Sequence, residues 1–75
     1  MELTKPQVDI IKAVDNHWKM YNAGATEREM LNALNCTKSF YDWHRRKLVD
    51  AGYLTRVPGR HRDLRLTESA KEVLT

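Results

Sequence analysis

The sequence predicts a mainly α domain with one small β-hairpin: a three-helix bundle, the hairpin and a short closing helix. Three observations carry this. Residues 26–51, TEREMLNALNCTKSFYDWHRRKLVDA, read as two short helices joined by a tight turn. Residues 53–67 then carry strand propensity on either side of a Pro-Gly turn signal. Positive charge is concentrated in the same half of the chain. Residues 38–65 hold eight Lys/Arg against three Asp, residues 1–37 four against five acidic residues, and residues 66–75 one against two.

The first helix is expected over residues 5–21. Thr4 stands at its N-cap, Gln7 three residues later completes a capping box, and Leu3 and Val8 flank them as a hydrophobic staple. Pro6 falls in the first turn, where its missing N–H costs nothing. Val8, Ile11, Val14, Trp18 and Tyr21 recur at spacings of three and four, the period of one buried helix face. Asn22-Ala23-Gly24 ends the helix, with Gly24 expected at positive φ.

The same grammar opens the second helix, residues 27–34. Thr26 caps, Glu29 closes the box, and Ala25 and Met30 are placed to staple. Met30, Leu31, Ala33 and Leu34 form its expected buried side. Asn35-Cys36-Thr37-Lys38 makes the turn, Cys36 pointing inward and Thr37 or Ser39 capping the next helix.

The third helix is expected over residues 39–51, with Tyr41, His44, Leu48 and Ala51 facing the core. Thr37, Lys38, Ser39, Phe40, Asp42, Trp43, Arg46 and Lys47 are left on its outer face. Phe40 and Trp43 admit two readings. On a DNA-facing helix they would contact thymine methyls or sugars, but aromatic side chains at helical spacing belong more often to a core, and packing is the expectation adopted. His44 is expected as a half-buried, hydrogen-bonded imidazole, because no second His or Cys stands at metal spacing.

Tyr53-Leu54-Thr55-Arg56-Val57 and Asp63-Leu64-Arg65-Leu66-Thr67 form the expected hairpin, with Pro58-Gly59 turning and Arg60, His61 and Arg62 at the tip. Leu64 and Leu66 face the core and Arg65 faces out. Residues 68–74 close the chain as a short helix capped by Thr67. Three helices followed by a basic hairpin, in that order, describe the winged helix-turn-helix.

Composition bounds the function. The 75 residues suffice for one domain, residues 1–75, and 41% apolar with 31% charged residues is globular rather than disordered. The single Cys fits a reducing compartment. No stretch approaches a membrane span and the N-terminus has no leader pattern, so a cytoplasmic protein is expected, with no membrane partner. No nucleophile–base pair, metal cluster or Gly-rich phosphate loop is present, and Ser39 near His44 on one helix is not a catalytic arrangement. The chain is therefore not expected to be an enzyme or to need a cofactor or metal, and no small-molecule ligand is expected.

LTKPQVDIIKAV, GATEREMLNAL and KLVDAGYL together resemble the DNA-binding domain of LexA-type repressors over residues 3–66. KLVDAGYLTRVPGRHRDLRLTESAKEVL is similar to the recognition-helix end, wing and following helix of MarR-type regulators, whose wings carry an Arg-rich tip before an LTE segment. Both resemblances imply the same fold and DNA binding. Residues 1–75 hold neither the self-cleaving Ser/Lys segment of the first family nor the long dimerising helices of the second, so autoproteolysis and ligand sensing are not carried over. TKSFYDWHRRK departs from both families in its aromatics and Arg45, so sequence preference is not transferred either.

The expected partner is double-stranded DNA. Lys38, Ser39, Asp42, Trp43, Arg46 and Lys47 are the candidate major-groove residues, Arg being suited to guanine O6/N7. Asp42 either accepts from a cytosine amino group or pairs with Arg45 or Arg46, the second being favoured. Arg56, Arg60, His61, Arg62 and Arg65 are the candidate wing contacts to phosphates or the minor groove, and Thr26 and Arg28 candidate backbone contacts at a helix N-terminus. The competing class is a protein-interaction module using the Phe40/Trp43 face, and an exposed aromatic patch there would favour it. A monomer is preferred, with a homodimer through Val73 and Leu74 left open.

Overall fold

A computed structural model of the protein describes residues 2–56 and 64–75, the Arg56 side chain excepted. Four helices and two strands follow in the order α1 (Lys5–Tyr21), α2 (Glu27–Leu34), α3 (Lys38–Asp50), β1 (Leu54–Arg56), β2 (Leu64–Leu66) and α4 (Glu68–Leu74). The strands pair antiparallel with Leu54 opposite Leu66, Thr55 opposite Arg65 and Arg56 opposite Leu64. The fold is thus mainly helical with one two-stranded hairpin, as the sequence predicts. The expected turn residues Pro58 and Gly59 lie outside the described residues, as do Val57 and Asp63 beside them.

α1 is the central element and packs against α2, α3, β2 and α4. Its inward stripe is Gln7, Ile10, Ile11 and Val14, all buried, with Trp18 half-buried at the same face. Ile10 belongs to this stripe although the sequence pattern was drawn through Val8, which is only half-buried. Gln7 is buried because it is a cap: its Oε1 accepts the Thr4 N–H at 3.1 Å. Met30, Tyr41, Leu48, Leu54, Leu64 and Ala70 complete the core around α1, so every element contributes to one apolar interior.

Several expectations at helix ends are corrected. Tyr21 is 64% exposed, since it falls past the end of the core, and its ring lies 4.6 Å from that of His17 instead. Asn22, not Gly24, ends α1 in the left-handed conformation (φ 52°), its N–H reaching the Trp18 carbonyl at 2.8 Å. Asparagine tolerates that region because its short polar side chain bonds locally. Ala33 is exposed because the buried arc of the eight-residue α2 runs through Met30, Leu34 and Leu31 and leaves Ala33 beyond its edge. Ala51 is exposed as well, at the point where the chain leaves α3 to start the hairpin.

That exit is a Schellman motif. The Gly52 N–H reaches the Val49 carbonyl at 3.1 Å, the Tyr53 N–H reaches the Leu48 carbonyl at 2.9 Å, and Gly52 sits at φ 86°. Thr67 ties the start of α4 to the same corner: its hydroxyl donates to the Gly52 carbonyl at 2.6 Å and accepts from the Ala70 N–H at 3.4 Å. A Cβ on residue 52 would meet nothing within 4 Å, so the position is conformational rather than steric. Gly52→Ala is therefore expected to lower unfolding free energy by about 1–2 kcal/mol, the cost of a left-handed L-residue, read from urea denaturation. A neutral result would mean that the α3–β1 corner re-forms without positive φ.

Candidate nucleic-acid interface

The helix-turn-helix is held to the bundle by a relay of hydrogen bonds at the start of α2. Glu29 Oε1 accepts from the Thr26 N–H at 3.1 Å and from the Thr26 hydroxyl at 2.9 Å, while the Thr26 hydroxyl accepts from the Glu29 N–H at 3.2 Å. The other carboxylate oxygen, Oε2, lies 2.8 Å from His17 Nε2, and His17 Nδ1 lies 2.8 Å from the Ala23 carbonyl. His17, on α1, therefore holds both the loop before α2 and the carboxylate that closes the capping box of α2. The capping box is legible in the sequence but this partner, twelve residues away, is not, because side-chain pairing across a loop leaves no periodic signal.

The turn between α2 and α3 is short because Asn35 adopts φ 51° and Thr37 caps at once, its hydroxyl accepting from the Phe40 N–H at 3.3 Å. Cys36 is half-buried against the core, as expected. α3 then presents two faces. Tyr41, His44 and Leu48 are buried, while Lys38, Ser39, Phe40, Trp43, Arg46 and Lys47 are exposed.

Phe40 (44% exposed) and Trp43 (57%) correct the packing expectation. Tyr41, His44 and Leu48 already fill the inward arc of α3, and Arg45 covers its flank with its guanidinium 5.9 Å from the Tyr41 ring. No inward position remains for two further rings. His44 faces the core as expected but is buried rather than half-buried, and its Nδ1 has no hydrogen-bond partner. Its ring meets the Phe40 ring at 4.5 Å and the Trp43 ring at 4.9 Å, both edge-on, so aromatic packing rather than hydrogen bonding holds the imidazole.

The charged candidates divide. Asp42 is half-buried and lies 3.7 Å from Arg45, the pairing that the spacing favoured, which turns it toward the flank of α3. Among the described residues Lys38, Arg46 and Lys47 form no ion pair, so the outer face keeps its positive charge. The Lys47 ammonium lies 5.1 Å from the centre of the Trp43 ring. Arg28 is exposed on the first turn of α2, next to the acidic Glu27, whereas the Thr26 hydroxyl is occupied by the capping box.

On the hairpin, Leu54 and Leu64 are buried and Leu66 is half-buried, while Arg65 faces out. The Trp18 indole N–H donates to the Leu64 carbonyl at 2.8 Å and the Arg65 guanidinium lies 5.2 Å from the centre of the Trp18 ring, so one α1 side chain fixes the second strand. Arg56 lies in β1. Arg60, His61 and Arg62 lie outside the described residues.

Helices α2 and α3 joined by a three-residue turn, followed by a hairpin packed on α1, define a winged helix-turn-helix domain. The chain is similar in structure to the transcriptional regulator Tm0710 from Thermotoga maritima, at 28% sequence identity and a TM-score of 0.73, over 95% of this chain and 48% of that one. It thus spans about half the length of that regulator. No protein-family model matches the sequence, and no curated protein matches it. No helix among the described residues is long and apolar enough to cross a membrane.

Proposed function

We propose that this chain is a sequence-specific double-stranded DNA-binding regulator of transcription, with α3 in the major groove and the basic 57–63 segment against backbone or minor groove. The observation that carries it is the outer face of α3, where Lys38, Arg46 and Lys47 stand exposed, without an ion pair among the described residues, on the second helix of a helix-turn-helix. Likeness to a transcriptional regulator supports the same reading. Lys38, Ser39, Trp43, Arg46 and Lys47 supply groove contacts, and Arg28, Arg56, Arg60, His61, Arg62 and Arg65 supply backbone contacts. The domain acts in the cytoplasm as a monomer.

Affinity for a duplex selected from a random pool is expected to fall steeply with salt. About five neutralised phosphates give a slope of about −4.5 in log K against log salt. A flat salt response, or failure of every duplex to bind, would sink the proposal. Within it, Arg46→Ala reduces discrimination between sites and Arg60→Ala weakens all sites about equally; equal losses from both would refute that division of labour. The exposure of Phe40 and Trp43 favours the second reading, a protein-interaction module using that face. Amide resonance shifts confined to α3 and the hairpin on adding duplex would exclude it.

A further inference from the structure

We propose that Phe40 and Trp43 read the 5-methyl groups of thymine, giving the domain a preference for thymine at steps covered by α3; this rests on the DNA-binding function proposed above. Trp43 is exposed on the face that carries Ser39, Arg46 and Lys47 and points away from Tyr41 and Leu48, and Phe40, also exposed, lies at the edge of that face beside Pro6, Asp9 and Leu34. The rings are not loose. Each packs edge-on against His44, which is 8% exposed, at 4.5 and 4.9 Å, so the rings are held in place before any partner arrives.

The charge around Trp43 selects the occupant. Lys47 sits 5.1 Å from the Trp43 ring centre, and Arg46, on the next turn of the same face, has no ion pair among the described residues. An apolar protein surface laid over Trp43 would bury these cations without a counter-charge. A DNA groove satisfies both demands at once: phosphates line its edges for the cations, and its floor offers one apolar group, the C5 methyl of thymine, for the rings. Guanine, adenine and cytosine present only donors and acceptors there, to which an apolar ring gives nothing.

The test uses the tightest duplex selected from a random pool, resynthesised with deoxyuridine in place of thymine one position at a time. This removes the methyl and leaves base pairing and the hydrogen-bonding pattern intact. One or two positions are expected to weaken binding by about fourfold each, the worth of one buried methyl-sized group. In Trp43→Ala or Phe40→Ala the thymine and uracil duplexes bind alike at the matching position, and Trp43→Phe restores the preference. Both residues are exposed, so circular dichroism of the variants should match the parent. If the deoxyuridine duplexes bind as tightly as the thymine duplex throughout, methyl reading is overturned while DNA binding stands. If the preference persists in both alanine variants, another residue reads the methyl and the assignment falls. Failure of every duplex to bind removes the function itself.

Discussion

Leu48→Ala is expected to leave the protein close to unfolding at ambient temperature. Leu48 is fully buried on the inward face of α3 and belongs to the core shared with α1 and β1. Truncating such a side chain costs about 3–5 kcal/mol through lost transfer energy and the cavity left behind. A 75-residue domain has a total stability of only about 4–11 kcal/mol. The melting temperature should therefore drop by about 15 °C or more, and DNA binding should disappear in proportion to the unfolded fraction. Trp43→Ala, five residues earlier on the same helix but more than half exposed, should shift stability by less than about 1 kcal/mol. Thermal melts of the two variants check this directly. Similar losses from both would mean that α3 is not divided into a buried and an open face.

Trp18→Phe is expected to loosen the hairpin more than the helices. The substitution keeps an apolar ring at the edge of the core but removes the N–H that donates to the Leu64 carbonyl at 2.8 Å and the larger ring beneath Arg65. Leaving a part-buried carbonyl without its donor costs about 1 kcal/mol, the low end of the range for a buried one. Because β1 and β2 contribute only three residues each, that loss falls on a small unit able to open by itself. Native-state hydrogen exchange should show amides of Leu54–Arg56 and Leu64–Leu66 losing protection ahead of those in α1 and α3. Affinity should fall for all duplexes while preference among them is retained. Uniform loss of protection across the chain would show that the hairpin has no separate opening step.

The helices were legible in the sequence because their starts are chemical. Thr26 with Glu29, Thr37 and Thr67 each announce a first turn by side-chain oxygens positioned for orphan amides, and each accepts the bond expected of it. Helix ends were less legible. Glycine is the usual residue at positive φ, so Gly24 drew attention, yet Asn22 and Asn35 take that conformation. On α3 two rules conflicted: spacing put Phe40 and Trp43 outside, and the general burial of aromatics put them inside. Spacing prevailed, since Tyr41, His44 and Leu48 had already taken the inward arc. Contacts between distant residues, such as Trp18 with Leu64 and His17 with Glu29, leave no local trace because their geometry exists only once the helices are packed.

The last of these contacts bears on how the domain could be re-engineered. Residues 26–51 have the appearance of a cassette to be lifted onto another three-helix scaffold to transfer a DNA preference. Glu29, however, answers both to the amide and hydroxyl of Thr26 and to His17 on α1. A donor segment set on a host lacking histidine at the equivalent of position 17 would keep the Thr26 bonds to Oε1 but lose the imidazole at Oε2, and would free the angle at which α2 enters. Transplantation thus demands three pieces rather than one: the helix pair, position 17, and the Ala23 carbonyl that holds the imidazole from its other side.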